Sequence, residues 1–405
     1  MRTPVREPRR EGPRELSFRD GTVMVTTATV LVVWVGYRSG PWAVRSLRDS
    51  GYGVLASHPE GIPGGRSAAS RSPLRYPSPA TAPDAFLGWL EDTCRAERIS
   101  AVLALDEDAV RAIAEGSPSL AGAVVAGPTA AQYHALCDKV ALGRTAAAVG
   151  VDHPATVEVR ADRPQDPWPS LPSIVKPRIS FADDVAAPVV AVGTVAERDA
   201  ALAHLRASGI DAVVQERIVG QPWVLHCVRG DGGVAMVAAR VSSTYPRVVG
   251  TSSVSQIVPA PAALGAAAGR LLDAVDYHGP CCMDFIEREG RFYFHDVNLR
   301  LAASAGAAAA AGFDQAAWGV DAALGHFRPP VGIARSVTYL PLSSELSAFR
   351  DALARRSDES PVAIARRIAH AAVARDHQLD PPLTDPTWLA ASTGRQISRL
   401  LRKNP

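Results

Sequence analysis

The chain has 405 residues, 47% of them hydrophobic and 21% charged, which is typical of a folded protein of two to three domains and argues against overall disorder. The formal net charge of only +2 gives no sign of the clustered basic face that nucleic-acid binding requires, so no nucleic-acid partner is expected. Five cysteines without a C-x-x-C pair predict neither a zinc site nor a disulfide framework, and they favour a reducing, cytoplasmic location.

The N-terminal segment leads into the first apolar run of the chain, residues 23–36. Residues 1–20 are rich in Arg, Pro and Glu and lack periodicity, so 1–23 is predicted to be a disordered extension, with Met24 as a candidate start. The apolar run is too short to cross a membrane as a helix, and no membrane partner is expected. Its Val and Thr content, and the lack of a small-x-small cleavage site, favour a buried strand over a secretion signal.

Residues 28–126 alternate between strand and helix patterns. Strands are predicted at 29–35, 53–56, 101–105 and 123–126, and helices at 40–50, 84–98 and 109–115, with 57–83 as a loop and Asp84 as a helix N-cap. This alternation predicts a parallel sheet with helices on both faces, so a first domain is placed at 24–127.

Residues 128–328 form the second predicted unit. Helices are predicted at 127–150, 194–208, 262–275 and 302–311, and strands at 173–177, 213–218, 223–229, 233–241, 281–287 and 291–297, with a Pro-rich linker at 163–172. The turns at 230–233 and 288–290 indicate two hairpins. Residues 329–405 are predicted to be a mainly helical C-terminal appendage with one strand, two helices and a basic tail.

Lysine is rare in this chain: Lys139, Lys176 and Lys403 are the only lysines among 43 lysines and arginines. Where arginine is used this consistently, a retained lysine indicates a position that a planar guanidinium cannot occupy. A compact ammonium group can approach a single phosphate oxygen closely. Because Lys403 lies in the polar tail, Lys139 and Lys176 are the two candidates for phosphate contacts.

The second predicted hairpin carries oxygen ligands suited to a metal ion. Asp296 and Asn298 are two residues apart on one strand and face the same side, and Asp284 lies on the preceding strand. Carboxylate and amide oxygens suit a hard cation such as Mg²⁺, and Arg300, on the same side, suits a developing phosphoryl charge. A D-x-N sequence is also common at the solvated edge of a hairpin, and these residues alone leave that alternative open.

The order of these segments resembles the ATP-grasp superfamily, in particular its carboxylate–amine (amino acid) ligases with a preATP-grasp domain. The resemblance covers residues 28–325 and is carried by Asp138-Lys139, Val175-Lys176-Pro177, Gln215-Glu216-Arg217-Ile218, Met283-Asp284-Phe285 and Asp296-Val297-Asn298-Leu299-Arg300. The acidic strand end Leu105-Asp106-Glu107-Asp108 adds to it. The resemblance implies an α/β protein, with a Rossmann-like preATP-grasp domain followed by a two-subdomain α+β ATP-grasp fold whose subdomains span 128–215 and 216–328.

The resemblance also implies ATP and Mg²⁺ as cofactors and a role for each matching residue. The residues implied to bind ATP are Lys139 and Lys176 at the phosphates and Glu216 and Ile218, through backbone groups, at adenine. The implied Mg²⁺ ligands are Asp284, Asp296 and Asn298, and the implied catalytic residues are Arg300 and Arg240. A metal clamp and cations around the phosphates would lower the barrier by positioning and charge neutralisation.

Two loops near these residues bear on activity and substrate. Family members carry a glycine-rich loop after the second lysine, whereas residues 178–184 contain no glycine, so Arg178 or Ser180 would have to take its place. A later loop resembles the substrate-side loop of the family; there Arg247 would hold a carboxylate, near Ser252, and a plain surface arginine is the open alternative. Asp296 also stands where the family usually has Glu.

The implied reaction joins a small-molecule carboxylate to an amine through an acyl phosphate, in amino-acid or specialised-metabolite biosynthesis. Three alternatives stay open: a non-catalytic ATP-binding homologue, an ATP-dependent carboxylase-type member, and a protein that uses its basic tail at 395–403 on acidic partners. The glycine-free loop favours the first, and the intact set of metal ligands argues against it. The oligomeric state is open, with a homodimer as one option.

Overall fold

The structure is a computed structural model, and it describes residues 14–19, 22–62, 65–159, 168–179, 189–245, 250–330, 332 and 335–390. These residues form a parallel sheet at the N-terminal side and two further mixed α/β units, as the sequence predicted. In the described part of the chain, no helix has the length and apolar character needed to span a membrane.

An antiparallel pair of strands precedes the parallel sheet. β1 (Arg14–Arg19) pairs with β2 (Thr22–Thr27). The predicted disorder of residues 1–23 therefore does not hold for 14–19 and 22–23, while residues 1–13 lie outside the described part.

The first domain is a five-stranded parallel sheet in the order β5-β4-β3-β6-β7. Its strands are β3 (Thr29–Val33), β4 (Gly53–Pro59), β5 (Leu74–Tyr76), β6 (Ala101–Ala104) and β7 (Val124–Val125), and its helices are α1 (Gly40–Asp49), α2 (Pro83–Glu97) and α3 (Glu107–Gly116). Two details differ from prediction: β5 lies inside the predicted loop, and Ala82 rather than Asp84 precedes α2. After β3 the chain crosses to β4 on one side, and after β6 it crosses to β7 on the other side. The two connections therefore diverge and leave a crevice at the carboxyl ends of β3 and β6.

The second unit is a four-stranded antiparallel sheet in the order β10-β9-β11-β8. Its elements are α4 (Ala130–Cys137), α5 (Lys139–Ala148), β8 (Thr156–Val159), β9 (Ser173–Pro177), β10 (Val190–Val192), α6 (Val195–Ala207) and β11 (Ala212–Glu216). Val175 and Val214 share a hydrophobic cluster with Leu202 and Leu205 of α6. Because side chains alternate along a strand, Lys176 projects from the opposite face of this sheet.

The third unit is a seven-stranded sheet in the order β16-β15-β12-β13-β14-β17-β18. Its strands are β12 (Gln221–Gly230), β13 (Gly233–Tyr245), β14 (Thr251–Pro259), β15 (Gly279–Arg288), β16 (Arg291–Asn298), β17 (Val337–Pro341) and β18 (His377–Asp380). Its helices are α7 (Ala262–Ala274), α8 (Ala305–Ala310), α9 (Gln315–Ala323), α10 (Leu342–Leu353) and α11 (Pro361–Val373). Leu271 of α7 clusters with Phe285 from one face, and Ala307 of α8 clusters with Val237 from the other, so both faces are buried.

The C-terminal region extends this sheet rather than forming a separate helical appendage. β17 pairs antiparallel with β14, through partners such as Ile257 and Val337, and β18 pairs parallel with β17. The predicted boundary at 329 therefore does not separate these strands from the preceding unit. The predicted basic tail at 395–403 lies outside the described residues.

The end of the described chain also docks on the first domain. The fully buried carboxylate of Asp385 accepts hydrogen bonds from Arg45 of α1 and from the backbone N–H groups of Ala68 and Trp388, the latter two at 3.1 and 3.0 Å. Trp388 packs edge-on against Trp42 with ring centroids 5.7 Å apart. These contacts join the C-terminal segment to helix α1.

We expect Asp385→Ala to lower the free energy of unfolding by about 2 kcal/mol, because it leaves buried donors without their acceptor. Urea denaturation measures this as a lower midpoint at unchanged slope. Asp358→Ala, which removes an exposed carboxylate, is the matched control and should leave the midpoint in place. Equal midpoints for Asp385→Ala and the wild type would show that this docking contributes no stability.

Candidate nucleotide and metal site

Strand pairing brings the three predicted metal ligands together. β15 and β16 pair so that Asp284 lies opposite Asp296 and Cys282 lies opposite Asn298. Residues opposite one another in an antiparallel pair share a face, so Asp284, Asp296 and Asn298 project to the same side. Asn298 Nδ2 lies 3.4 Å from Asp284 Oδ2. The sequence prediction of one oxygen-rich face therefore agrees with the register.

The electrostatics of this face suit a cation. Burial, and then the neighbouring Asp296, raises the pKa of Asp284 to about 7. Burial alone would also raise the pKa of Asp296, but Lys139 and Lys176 outweigh it and lower that pKa below its ordinary value. Two crowded carboxylates and an amide oxygen form a hard donor set, which fits Mg²⁺.

The two lysines meet at Asp296. Lys139 Nζ lies 3.3 Å from Asp296 Oδ1, and Lys176 Nζ donates a hydrogen bond of 3.1 Å to the carbonyl oxygen of His295. Each lysine is only 4% exposed. Burial lowers the pKa of Lys176 to about 8, although Asp296 opposes this shift. Two buried ammonium groups beside a metal-type carboxylate have the charge and compact shape that suit anionic phosphate oxygens.

A short polar network positions the two lysine-bearing segments. Asp138 caps helix α5, accepting from the backbone N–H groups of Val140 and Ala141 at 2.9 and 3.2 Å, and so places Lys139 in the first turn. Arg178 Nε donates to Asp138 Oδ2 at 2.8 Å, and the Lys139 N–H donates to the Arg178 carbonyl oxygen at 3.0 Å. Arg178 therefore holds α5 against the end of β9, and its side chain is not available to replace the glycine-rich loop at the phosphates.

Arg300 connects the metal face to the first domain. Its Nη2 donates to Asn298 Oδ1 at 3.2 Å, and its Nε lies 2.9 Å from Glu107 Oε1. Its guanidinium lies 4.7 Å from the ring centroid of Tyr37. Tyr37 follows β3 and Glu107 follows β6, so Arg300 faces the crevice at the carboxyl ends of the parallel sheet.

A second polar group beside this crevice was missed by the sequence analysis. Arg38 hydrogen-bonds Tyr339, and Tyr339 donates to Asp380 Oδ2 at 2.9 Å. Burial disfavours the charge on Arg38, but Tyr339 and Asp380 raise its pKa. Arg38 follows β3, whereas the other two residues lie on β17 and β18, far away in the sequence, so no local pattern could have grouped them.

A cleft between the four-stranded and seven-stranded sheets lies next to the segment predicted to bind adenine. The cleft is lined by Lys139, Leu142, Gly143, His153, Thr156, Gln215, Phe294 and His295. Glu216 follows Gln215, and its N–H donates to the Ala155 carbonyl oxygen at 2.8 Å, so this N–H is already paired within the protein. Ile218 is buried in the short connection from β11 to β12. A Cβ at Gly220, in the same connection, would overlap the Glu287 carbonyl oxygen.

Some predicted site residues do not join this group. Arg240 lies opposite Trp223, which lies opposite Phe285, so Arg240 projects from the face away from Asp284. The prediction that Arg240 acts with Arg300 is therefore not supported. Ser252 lies on β14 and pairs with Thr244 of β13, and its buried Oγ has no hydrogen-bond partner in the described structure.

Two further predictions concern residues that the structure does not describe. Ser180 and Arg247 both lie outside the described ranges. The phosphate contact predicted for Ser180 and the carboxylate contact predicted for Arg247 therefore stay predictions.

This chain is similar to known proteins in structure but not in sequence. No family model and no curated protein matches the sequence. The L-amino acid ligase from Bacillus licheniformis superposes with a TM-score of 0.62 at 15% identity, over 77% of this chain and 79% of that chain. N5-carboxyaminoimidazole ribonucleotide synthetase from Thermus thermophilus superposes with a TM-score of 0.56 at 19% identity, over 76% and 82% of the two chains.

A third match is a structure with bound nucleotide. The biotin carboxylase domain dimer of the Hydrogenobacter thermophilus 2-oxoglutarate carboxylase, in complex with MgADP, ADP and bicarbonate, superposes with a TM-score of 0.58. The identity is 15%, over 76% of this chain and 73% of that chain. At these identities the likeness establishes the fold.

Proposed function

We propose that this chain, which has the ATP-grasp fold, is an ATP- and Mg²⁺-dependent ligase that joins a carboxylate to an amine. The observation that carries the proposal is the convergence of Lys139 and Lys176 on Asp296, which is part of the oxygen-rich face of β15 and β16. This arrangement suits a metal-bound polyphosphate, because the carboxylate pair would hold the metal ion and the buried lysines would offset the negative charge of the phosphates.

The residues divide between binding and chemistry. Lys139 and Lys176 would hold phosphate oxygens, and the backbone at Glu216 and Ile218 would hold adenine. Asp284, Asp296 and Asn298 would hold Mg²⁺, which when bound neutralises the charge of the transferring phosphoryl group. Arg300 faces both this site and the crevice of the first domain, so it would hold the transferring group next to the substrates.

The proposed reaction has two steps. A carboxylate oxygen of the first substrate attacks the γ-phosphorus of ATP, the bond to the β–γ bridging oxygen breaks, and ADP leaves. The amine of the second substrate then attacks the acyl carbon, loses a proton, and displaces inorganic phosphate to leave an amide. The crevice lined by Tyr37 and Glu107, with Arg38 beside it, offers both charge signs for small polar substrates.

ADP release tests the proposal when it is measured against a library of amino acids and other carboxylates. Hydroxylamine in place of the amine should convert the acyl phosphate to a hydroxamate that mass spectrometry identifies. ADP release that depends on bicarbonate alone would favour the carboxylase-type alternative. Binding of ATP with Mg²⁺ but no ADP release with any substrate pair would overturn the ligase proposal in favour of a binding protein.

Two arginines give a matched comparison. We expect Arg300→Ala to lower the rate of ADP release by about 10³-fold while ATP binding persists, because its charge acts mainly on the transferring phosphoryl group. Arg240→Ala should change the rate little, since Arg240 projects from the other face of the sheet. Steady-state rates and nucleotide titrations measure both. A large loss in Arg240→Ala would contradict the placement of that residue outside the site.

A further inference from the structure

Two histidines and an aspartate meet at the surface where helix α11 turns into strand β18. A ligand atom from each of His370, Asp376 and His377 lies within 4.8 Å of the other two. The imidazole rings pack at right angles with centroids 4.7 Å apart, and His377 Nδ1 lies 3.0 Å from Asp376 Oδ1. His370 and Asp376 are exposed and His377 is half-buried, so a metal ion could reach all three.

The backbone holds the three residues in place before any ligand binds. The Ala374 N–H donates to the His370 carbonyl oxygen at 2.9 Å, and the His377 N–H donates to the Ala374 carbonyl oxygen at 3.3 Å. The carbonyl oxygen of Asp376 accepts from the Thr338 N–H on β17 at 2.8 Å. Each ligand residue is therefore anchored by its main chain, which lowers the ordering cost of binding.

We propose that His370, Asp376 and His377 form a binding site for a divalent transition-metal ion of the Zn²⁺ class. Two imidazole nitrogens and one carboxylate oxygen are typical zinc ligands, and three protein ligands leave a fourth position for water. The same donor set discriminates against Mg²⁺, which prefers oxygen ligands. The site contains no cysteine, which explains why the cysteine pattern of the sequence did not predict it.

A bound ion would connect the last turn of α11 to the edge strand of the seven-stranded sheet. β18 carries Asp380 three residues after His377, and Asp380 binds Tyr339 beside the crevice of the first domain. An ion that binds the folded chain and not the unfolded chain raises the melting temperature by mass action. The site is independent of the proposed ligase function, so it can be tested without any substrate.

Calorimetric titration of metal-free full-length protein with Zn²⁺, in buffer that contains millimolar Mg²⁺ to fill oxygen-rich sites, tests the proposal. Wild type should bind one equivalent that His370→Ala and His377→Ala each weaken at least about tenfold. His278→Ala is the matched control, because His278 also lies near carboxylates, with Nε2 3.3 Å from Asp231 Oδ1 and Nδ1 3.9 Å from Asp276 Oδ1. Within the described residues it belongs to no cluster of three ligand residues. The control should bind Zn²⁺ as the wild type does.

Thermal melts add a readout that does not depend on activity. Zn²⁺ should raise the melting temperature of wild type and His278→Ala, but not of His370→Ala. If either histidine variant unfolds in chelator, Asp376→Asn, at an exposed position, takes its place in both measurements. Equal Zn²⁺ binding by wild type and the His370→Ala or His377→Ala variants, or an equal loss in His278→Ala, would overturn the proposal.

Discussion

Asp284→Asn is expected to abolish ADP release and at the same time raise the melting temperature of the nucleotide-free protein. The activity loss follows from removing one of two metal-type carboxylates, and we expect about 10³-fold or more. The stability gain follows from the surroundings of Asp284, where burial and the facing Asp296 raise its pKa to about 7. A neutral amide of the same shape removes that unfavourable charge.

The pH dependence of this gain follows from linkage. The unfolded carboxyl ionises near its ordinary pKa, whereas the folded one keeps its proton until about pH 7. The wild type therefore loses free energy of unfolding as the pH rises from about 4 to about 7, and the loss is complete above that range. The advantage of Asp284→Asn should grow through the same range and reach roughly 2 kcal/mol or more.

A crossover on adding ATP with Mg²⁺ is the decisive measurement for this variant. The ligand should raise the melting temperature of the wild type and leave that of Asp284→Asn nearly unchanged, so the order of the two proteins reverses. Asp231→Asn, with an exposed carboxylate, is the control that should follow the wild type in both conditions. If Asp284→Asn melts lower than the wild type without nucleotide, that result would contradict the assignment of Asp284 as a metal ligand whose charge destabilises the metal-free protein.

Lys176→Arg and Lys139→Arg are expected to lower the rate of ADP release by about 10²-fold each, although both keep the positive charge. Each lysine is only 4% exposed, and Lys176 Nζ lies 3.1 Å from the carbonyl oxygen of His295. A guanidinium is larger and planar, so it would move its charge away from the position that the ammonium holds. Rates at saturating ATP, together with nucleotide affinity, separate lost chemistry from lost binding.

The third lysine provides the control for this substitution. Lys403→Arg makes the same chemical change in the polar tail and should leave the rate at the wild-type value. Wild-type rates in both Lys176→Arg and Lys139→Arg would show that lysine is not specifically required there. That result would remove the phosphate assignment of both residues.

Several features of the site follow from local sequence. The Arg288-Glu289-Gly290 turn predicts the β15–β16 hairpin. Regular pairing from this turn would place Asp284 opposite His295, and a bulge between Asp284 and Phe285 shifts it opposite Asp296. The alternation of side chains then places Asn298 on the same face. The rarity of lysine singles out Lys139 and Lys176 from composition alone, because a compact ammonium group can approach a single phosphate oxygen where a planar guanidinium cannot.

Other features depend on pairing between distant segments. The face on which Arg240 lies is set by register across β13, β12 and β15, and a shift of one residue would reverse it. No local pattern indicates that β17 and β18 extend the large sheet. β17 pairs with β14 and β18 pairs with β17, and in each pair the two strands lie far apart along the chain.

The sequence by itself determined the βα alternation of the first domain, the β15–β16 hairpin, and the two lysines as phosphate candidates. Only the tertiary structure decided that a bulge brings Asp284 opposite Asp296 and that Arg240 projects from the other face. It also decided that Arg300 contacts Glu107 and that Arg38 meets Tyr339 and Asp380. The physical reason is range: periodicity and short turns fix neighbours within a few residues, whereas contacts between domains depend on strand order and packing that no local segment encodes.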